Sequence, residues 1–132
     1  MPRYNSRSQL CPSRAILAHI CGKWSVLILG LLAEDTKRFN ELRRCVQGVT
    51  QKVLTQNLRE LERLGLISRR IYAEVPPRVE YSLTPLGRSL VKVVDELRHW
   101  TDAHTGDMLA ARQRYEQKQR GAPRRQAALE EA

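Results

Sequence analysis

Lys52, Gln56, Arg59 and Arg63 recur at spacings that place them on one side of a helix, with Gln51 and Thr55 at its shoulder. Amide and guanidinium groups in such a row can make paired hydrogen bonds to adenine and guanine edges. At about 100° per residue, the same stretch, residues 50–64, puts Leu54, Leu58 and Leu61 on the opposite stripe, with Val53 and Leu64 on its flanks. Glu60 and Glu62 fall toward the sides, so the fully outward line is basic or amide. A solvated helix face reads the same way in isolation. The neighbouring elements must decide.

A second chemistry is suggested by Cys11, which stands just before Pro12 at a helix start. The positive end of a helix macrodipole lowers a thiol pKa, and Arg14, one turn inside, can add to the effect. The thiolate would attack an electrophile or an oxidant. The plainer reading is a small cap residue without a signalling role. Cys21 and Cys45 read as more buried and inert, although a disulfide from Cys11 to a cysteine of a second chain stays open. Three cysteines spaced by ten and twenty-four match no zinc pair and no disulfide scaffold. His19, His99 and His104 form no ligand motif, and no phosphate loop, nucleophile elbow or catalytic carboxylate pair is present. The expectation is a protein that is not an enzyme and uses no metal and no cofactor.

The chain has 132 residues, with 23 basic and 14 acidic side chains and a net charge of +9. That length suits one domain, and that charge attracts phosphate backbones or anionic surfaces. No apolar run reaches the roughly 18–20 residues that span a bilayer. The longest, residues 24–33, is broken by Ser25 and Gly30. The first residues lack a secretory pattern, so a cytoplasmic location without membrane association is expected.

Other elements must hold the two chemistries in place. Ile16, Leu17 and Ile20 recur at helical spacing after Pro12, and Cys21-Gly22 reads as the stop. A nearly all-apolar helix from about Lys23 to Ala33 should turn Trp24, Leu27, Ile28, Leu31 and Leu32 inward. A short helix, residues 38–46, follows with Phe39, Leu42 and Val46 inward, then the turn Gln47-Gly48-Val49 and Thr50 as N-cap. Short helix, tight turn and second helix form a helix-turn-helix pattern, and Gly65 suits the left-handed C′ position. The period then changes. Residues 66–72 and 79–83 read as strands joined by a stiff loop containing Pro76-Pro77-Arg78. After Thr84-Pro85 comes a long helix with Leu86, Leu90, Val93, Val94, Leu97 and Trp100 in a stripe to about His104. Met108, Leu109 and Tyr115 extend the helical pattern, and a disordered tail carrying Arg124 and Arg125 is expected beyond Arg120.

This order predicts an α+β, mainly α fold: a winged helix-turn-helix with a two-stranded β-wing and flanking dimerisation helices. The blocks Cys11-Pro12, Gly22-Lys23-Trp24, residues 38–43, 52–56, 58–62 and 65–67, and Val75-Pro76-Pro77-Arg78-Val79-Glu80-Tyr81-Ser82-Leu83-Thr84 resemble the HxlR-type regulators. The chain departs from that pattern at Cys21, where a small or apolar residue is usual, and at Gln51, where proline or a small residue is common. The resemblance implies a cytoplasmic, homodimeric DNA-binding transcription factor of the MarR-like group, with repression as its mode. It also implies that a cysteine at the position of Cys11 can sense reactive species. Domain boundaries are expected at 1–10 for an arm, 11–104 for the winged domain and 105–132 for a C-terminal extension.

From the residues themselves, the helix opened by Thr50 lies in a major groove, with Gln51, Lys52, Thr55 and Gln56 nearest the bases, Thr50 counted among the DNA contacts at its start, and Arg59 reaching a base or a phosphate. Lys37 in a turn and Arg38, Arg43 and Arg44 on the preceding helix suit phosphates, and Arg78 at the wing tip suits the minor groove. Of Arg69 and Arg70, which alternate in a strand, at most one faces DNA. One such helix reads only a few base pairs, so pairing of two chains on a pseudo-palindromic site is expected. Ile16, Ile20, Leu90, Val94, Leu97 and Trp100 are the expected dimer contacts. The competing class is a winged-helix antagonist that works mainly through protein contacts; it calls for an acidic or apolar face on the reading helix.

Overall fold

The computed structural model describes residues 3–121, so the predicted tail from residue 122 onward, with Arg124 and Arg125, lies outside the described residues. The elements run α1 (Pro12–Ile20), α2 (Lys23–Glu34), β1 (Lys37–Arg38), α3 (Phe39–Cys45), α4 (Gln51–Arg63), β2 (Ile67–Tyr72), β3 (Arg78–Leu83) and α5 (Pro85–Gly121). Packing divides the chain into two units, residues 1–95 and 96–132. Helix α5 gives its first turns to the first unit and the rest to the second, past the stripe that the sequence carries to about His104.

Within the first unit, α4 has the caps its sequence demands. The Thr50 hydroxyl accepts from Val53 N–H at 3.1 Å, satisfying one of the orphan donors of the first turn. At the other end Gly65 takes a left-handed φ of 76°. Leu66 N–H then reaches Leu61 O and Gly65 N–H reaches Glu62 O, both at 3.0 Å, which closes the C-terminus as a Schellman motif. Leu54, Leu58 and Leu61 are buried among Ile28, Leu29, Leu32, Leu42, Val46, Ile67 and Leu83. Burying each such side chain contributes about 1.5–3 kcal/mol relative to exposure.

The two-stranded wing read from the sequence is present as β2 and β3, and a third strand, β1, not read from the sequence, joins it to make a three-stranded sheet. Its order is β1-β3-β2, with antiparallel pairs from Ile67↔Leu83 to Tyr72↔Arg78 and, on the other edge, Lys37↔Tyr81 and Arg38↔Glu80. Two residues are too few to show a strand period, so β1 leaves no pattern to read. Lys37 and Arg38 accordingly sit in a strand, not in a turn and a helix. The phase of α2 also differs: Leu29 is fully buried, while Leu27 is 41% exposed. A helix apolar on every side carries no stripe from which its inward face can be fixed.

Gly87 sits on α5 where a Cβ would overlap the Leu66 carbonyl oxygen, so the start of α5 packs directly on the backbone that follows α4. Thr84 ties the same junction by donating its hydroxyl to Gly65 O at 2.6 Å and accepting from Gly87 N–H at 3.1 Å. Gly87→Ala should therefore cost about 1–3 kcal/mol. Gly106→Ala, where open space surrounds the position, should gain about 0.5–1 kcal/mol. Urea unfolding of both variants measures the contrast, and equal midpoints would show that the junction tolerates displacement.

Candidate nucleic-acid interface

The outward line of α4 is set by the burial of its leucines. Gln51, Lys52, Gln56 and Arg59 are exposed, with Thr55 half-buried beside them. Among the described residues none of these five side chains makes a hydrogen bond or an ion pair. The acidic residues on the flanks behave differently. Glu60 holds Arg63 at 2.8 Å and Glu62 holds Arg69 at 3.4 Å. Their charge is thereby matched locally, and the exposed face is left with Lys52, Arg59 and two amides. Thr50 keeps its hydroxyl on the helix cap, so its contribution to the face is to fix where the helix begins.

A second group of basic residues gathers around α3. The backbone N–H of Arg38 donates to the Glu41 carboxylate at 3.1 Å, which starts the helix. Asn40, Arg43 and Arg44 face outward and line shallow hollows of about 470 and 480 Å³. Arg38 and Asn40 also share a hollow of about 390 Å³ with the wing residues Glu74, Val75, Pro76, Pro77 and Arg78. The fold thus brings the start of α3 against the wing, a neighbourhood that the sequence does not display.

Other candidates are held in partnerships of their own. The Lys37 ammonium lies 2.7 Å from Asp35 and 3.9 Å from Glu34, and the Asp35 hydrogen bond, aided by the charges of both carboxylates, pushes its pKa up. Arg78 opens β3 rather than standing at the loop tip. Its guanidinium lies 3.9 Å over the Tyr72 ring, with Glu74 at 3.3 Å and Glu80 at 3.5 Å. Nε beside Glu80 lacks hydrogen-bond geometry, so that contact is an ion pair only. Arg70 covers the same ring at 4.7 Å. At the wing tip itself Val75 is fully exposed.

Cys11 is the N-cap of α1, with Pro12 in the first turn. Its Sγ accepts from Asn5 N–H at 3.2 Å and lies 3.1 Å from Ser13 Oγ. The Ser13 hydroxyl holds the thiol below its ordinary pKa; desolvation opposes it, and the backbone N–H groups of Ser13 and Asn5 reinforce it. Arg14, the helper expected from the sequence, contributes no such interaction. Cys21 and Cys45 are exposed, against the expectation that both are buried. Cys21 is the C-cap of α1 and Cys45 the last residue of α3, each on the side of its helix end turned away from the core.

Of the expected dimer contacts, Ile16 is exposed on α1, which buries no residue fully. Ile20 and Leu90 line an open apolar hollow of about 380 Å³ together with Ile16, Leu64, Leu66 and Leu86. Val94 points the other way: it is 4% exposed inside the core of its own chain and offers no surface to a partner. In the second unit Leu97 and Trp100 are each half exposed, and Trp100 stacks on His104 at 4.5 Å.

Helix, turn and polar-faced helix, followed by a β-hairpin against the same core, define a winged helix-turn-helix DNA-binding regulator. The chain belongs to the HxlR-like helix-turn-helix family, whose family model matches residues 19–121. It is 45% identical over 108 residues to the HTH-type transcriptional regulator YtfH of Escherichia coli (strain K12), covering 82% of this chain and 86% of that one. The solved structure of transcriptional regulator ytfH from Salmonella typhimurium is 43% identical, with a TM-score of 0.81 over 84% of this chain and 99% of that one. The redox regulator HypR in its reduced form is 39% identical, with a TM-score of 0.70 over 75% of this chain and 98% of that one. This protein is therefore a transcriptional regulator built on a helix-turn-helix DNA-binding fold.

Because hydrogen bonding from Ser13 favours the thiolate, Ser13→Ala should move the Cys11 pKa up toward its ordinary value. At neutral pH the variant would then hold less thiolate and alkylate more slowly, with its rate–pH curve displaced to higher pH. Mass-resolved iodoacetamide labelling of Cys11 across pH 6 to 10 reads this directly. Superimposed curves for the two proteins would remove Ser13 from the account.

Proposed function

We propose that this protein is a cytoplasmic, homodimeric repressor that reads a pseudo-palindromic operator through α4 and releases it when Cys11 is modified. The observation that carries the reading is the exposed, unpaired row Gln51, Lys52, Gln56 and Arg59 on a helix whose opposite face is fully buried. The N-terminal half of α4 faces bases, with Thr55 supporting, and Arg59 reaches a base or a phosphate. Arg38, Arg43 and Arg44 take backbone phosphates. Lys37 and Arg78 act mainly by shaping the strand and wing, because their charges are already matched by carboxylates. An antagonist working through protein contacts would need an acidic or apolar face on α4, and the exposed side chains there are amide and basic.

Dimer formation is supported by α1, whose apolar side chains find no full burial within the first unit, and separately by exposed Leu97, Trp100, Met108, Leu109 and Tyr115 in the second. Sensing is supported by the hydrogen bonds that stabilise the Cys11 thiolate and by the likeness to a redox regulator. With hydrogen peroxide the thiolate sulfur would attack one oxygen and expel hydroxide, leaving a sulfenic acid. A carbon electrophile would give a thioether instead.

Selection of bound duplexes from random DNA, with Cys11 reduced and then oxidised, yields the operator and tests release together. Recovery of equal affinities in both states would remove Cys11 from regulation. On the recovered operator, Gln56→Ala should cost about 1–3 kcal/mol and relax one base position. An equal loss on scrambled DNA would show that Gln56 does not read a base. Sedimentation showing a monomer at every concentration would refute the dimer.

A further inference from the structure

Ser25 is a buried polar side chain in the core, 1% exposed, and it stands in the third position of α2. A serine in an apolar helix usually returns its hydroxyl to a carbonyl one turn back. Ser25 does not. Its Oγ lies 3.5 Å from His19 Nε2 near the end of α1 and 3.4 Å from Asn57 Oδ1 in the middle of α4. Asn57 in turn donates from Nδ2 to Val53 O at 2.8 Å.

Counting protons gives this chain a direction. Val53 O can only accept, so the Asn57 amide must turn Nδ2 toward it, and Oδ1 is left facing Ser25. Oδ1 also only accepts, so the single Ser25 proton goes to Asn57. The remaining contact is satisfied only if His19 carries a proton on Nε2 and donates to Ser25. One hydroxyl thereby connects the helix that begins at Cys11 with the helix that faces DNA, inside a core where an unmet polar group would be costly.

We infer that the chain His19–Ser25–Asn57 sets the roll of α4 about its axis, making Ser25 a positioning residue for base reading and linking α1 to the reading helix. The leucine stripe holds α4 against the core, but leucine contacts are non-directional and permit small rotations. A directed hydrogen bond at the centre of the helix restricts them. Asn57 lies one residue beyond Gln56, so a few degrees of roll there displace the Gln56 amide from a base edge while phosphate contacts adjust.

The inference rests on operator reading by α4, and the test separates the two. The full-length protein is titrated with the selected operator and with a scrambled duplex of the same length. Ser25→Ala and His19→Ala should each lower the ratio of the two affinities by about three- to tenfold, the worth of a net hydrogen bond. Affinity for the scrambled duplex should not change, and the double variant should lose no more than Ser25→Ala alone. A purely structural role would instead lower the melting temperature and weaken both duplexes equally, which overturns the inference. An unchanged ratio in His19→Ala overturns the link to α1, and this position, less buried than Ser25, keeps the test open if Ser25→Ala folds poorly. Wild-type protein that does not discriminate between the duplexes defeats operator reading itself, and the inference falls with it.

Discussion

Everything functional in the first unit depends on the burial of Leu54, Leu58 and Leu61. Rolling α4 by one residue, about 100°, would bring those leucines to water at roughly 1.5–3 kcal/mol each. No surface hydrogen bond could offset that. The apolar stripe therefore determines which residues face outward before any ligand is considered. Thr50 and Gly65 fix where the helix starts and stops, and hence which turn is presented first. Gln51 and Gln56 face solvent as a consequence of leucine packing.

Charge is distributed on the same logic. An overall excess of +9 draws the protein toward polyanions without distinguishing among its faces. Local pairing makes the distinction. Glu60, Glu62, Glu74 and Glu80 each hold an arginine, and Asp35 holds Lys37. The more exposed of these pairs, such as Arg63–Glu60, contribute at most about 1 kcal/mol each to stability. Their larger effect is to leave Arg38, Arg43, Arg44, Lys52 and Arg59 without a carboxylate partner among the described residues. The wing is built differently, with two arginines flanking Tyr72 and two glutamates closing on one of them. Its tip presents Val75 and the prolines, so its contact with DNA would be one of shape more than of charge.

How far the sequence could be read follows from how much each element depends on its own residues. Helix α4 is legible because period, N-cap and C′ glycine are all local and agree. The paired strands β2 and β3 are legible for the same reason. Strand β1 is not, since two residues acquire strand geometry only from pairing with Tyr81 and Glu80. The inward phase of α2 is hidden by its uniform apolarity, which is why Leu27 and Leu29 exchange roles. Val94 lies on the apolar stripe of α5, and only packing shows that it serves the core. The thiol environment is illegible too: Asn5 and Ser13 flank Cys11 in sequence, but the bond from Asn5 exists because the preceding arm folds back. Ser25 and Asn57 did leave a trace, each being a polar residue where an apolar or strong helix-forming one would cost less.

Helix α1 carries Cys11 at its start and His19 near its end. It has nine residues, no buried side chain and no side-chain cap, and a helix that short is marginal alone in water. Its position is therefore held by few contacts, and small perturbations at either end matter more than they would in α2 or α4. At its start the Cys11 sulfur is itself the hydrogen-bonded group where a capping side chain normally sits. Oxidation or alkylation there would replace an acceptor held by Asn5 and Ser13 with a bulkier group. Toward its other end His19 meets Ser25. A short helix with a hydrogen-bonded thiol at one terminus and a directed bond toward α4 near the other has the physical attributes that the proposed release would require: a site for a local chemical event, an element held by few contacts, and a contact through which a movement would be felt.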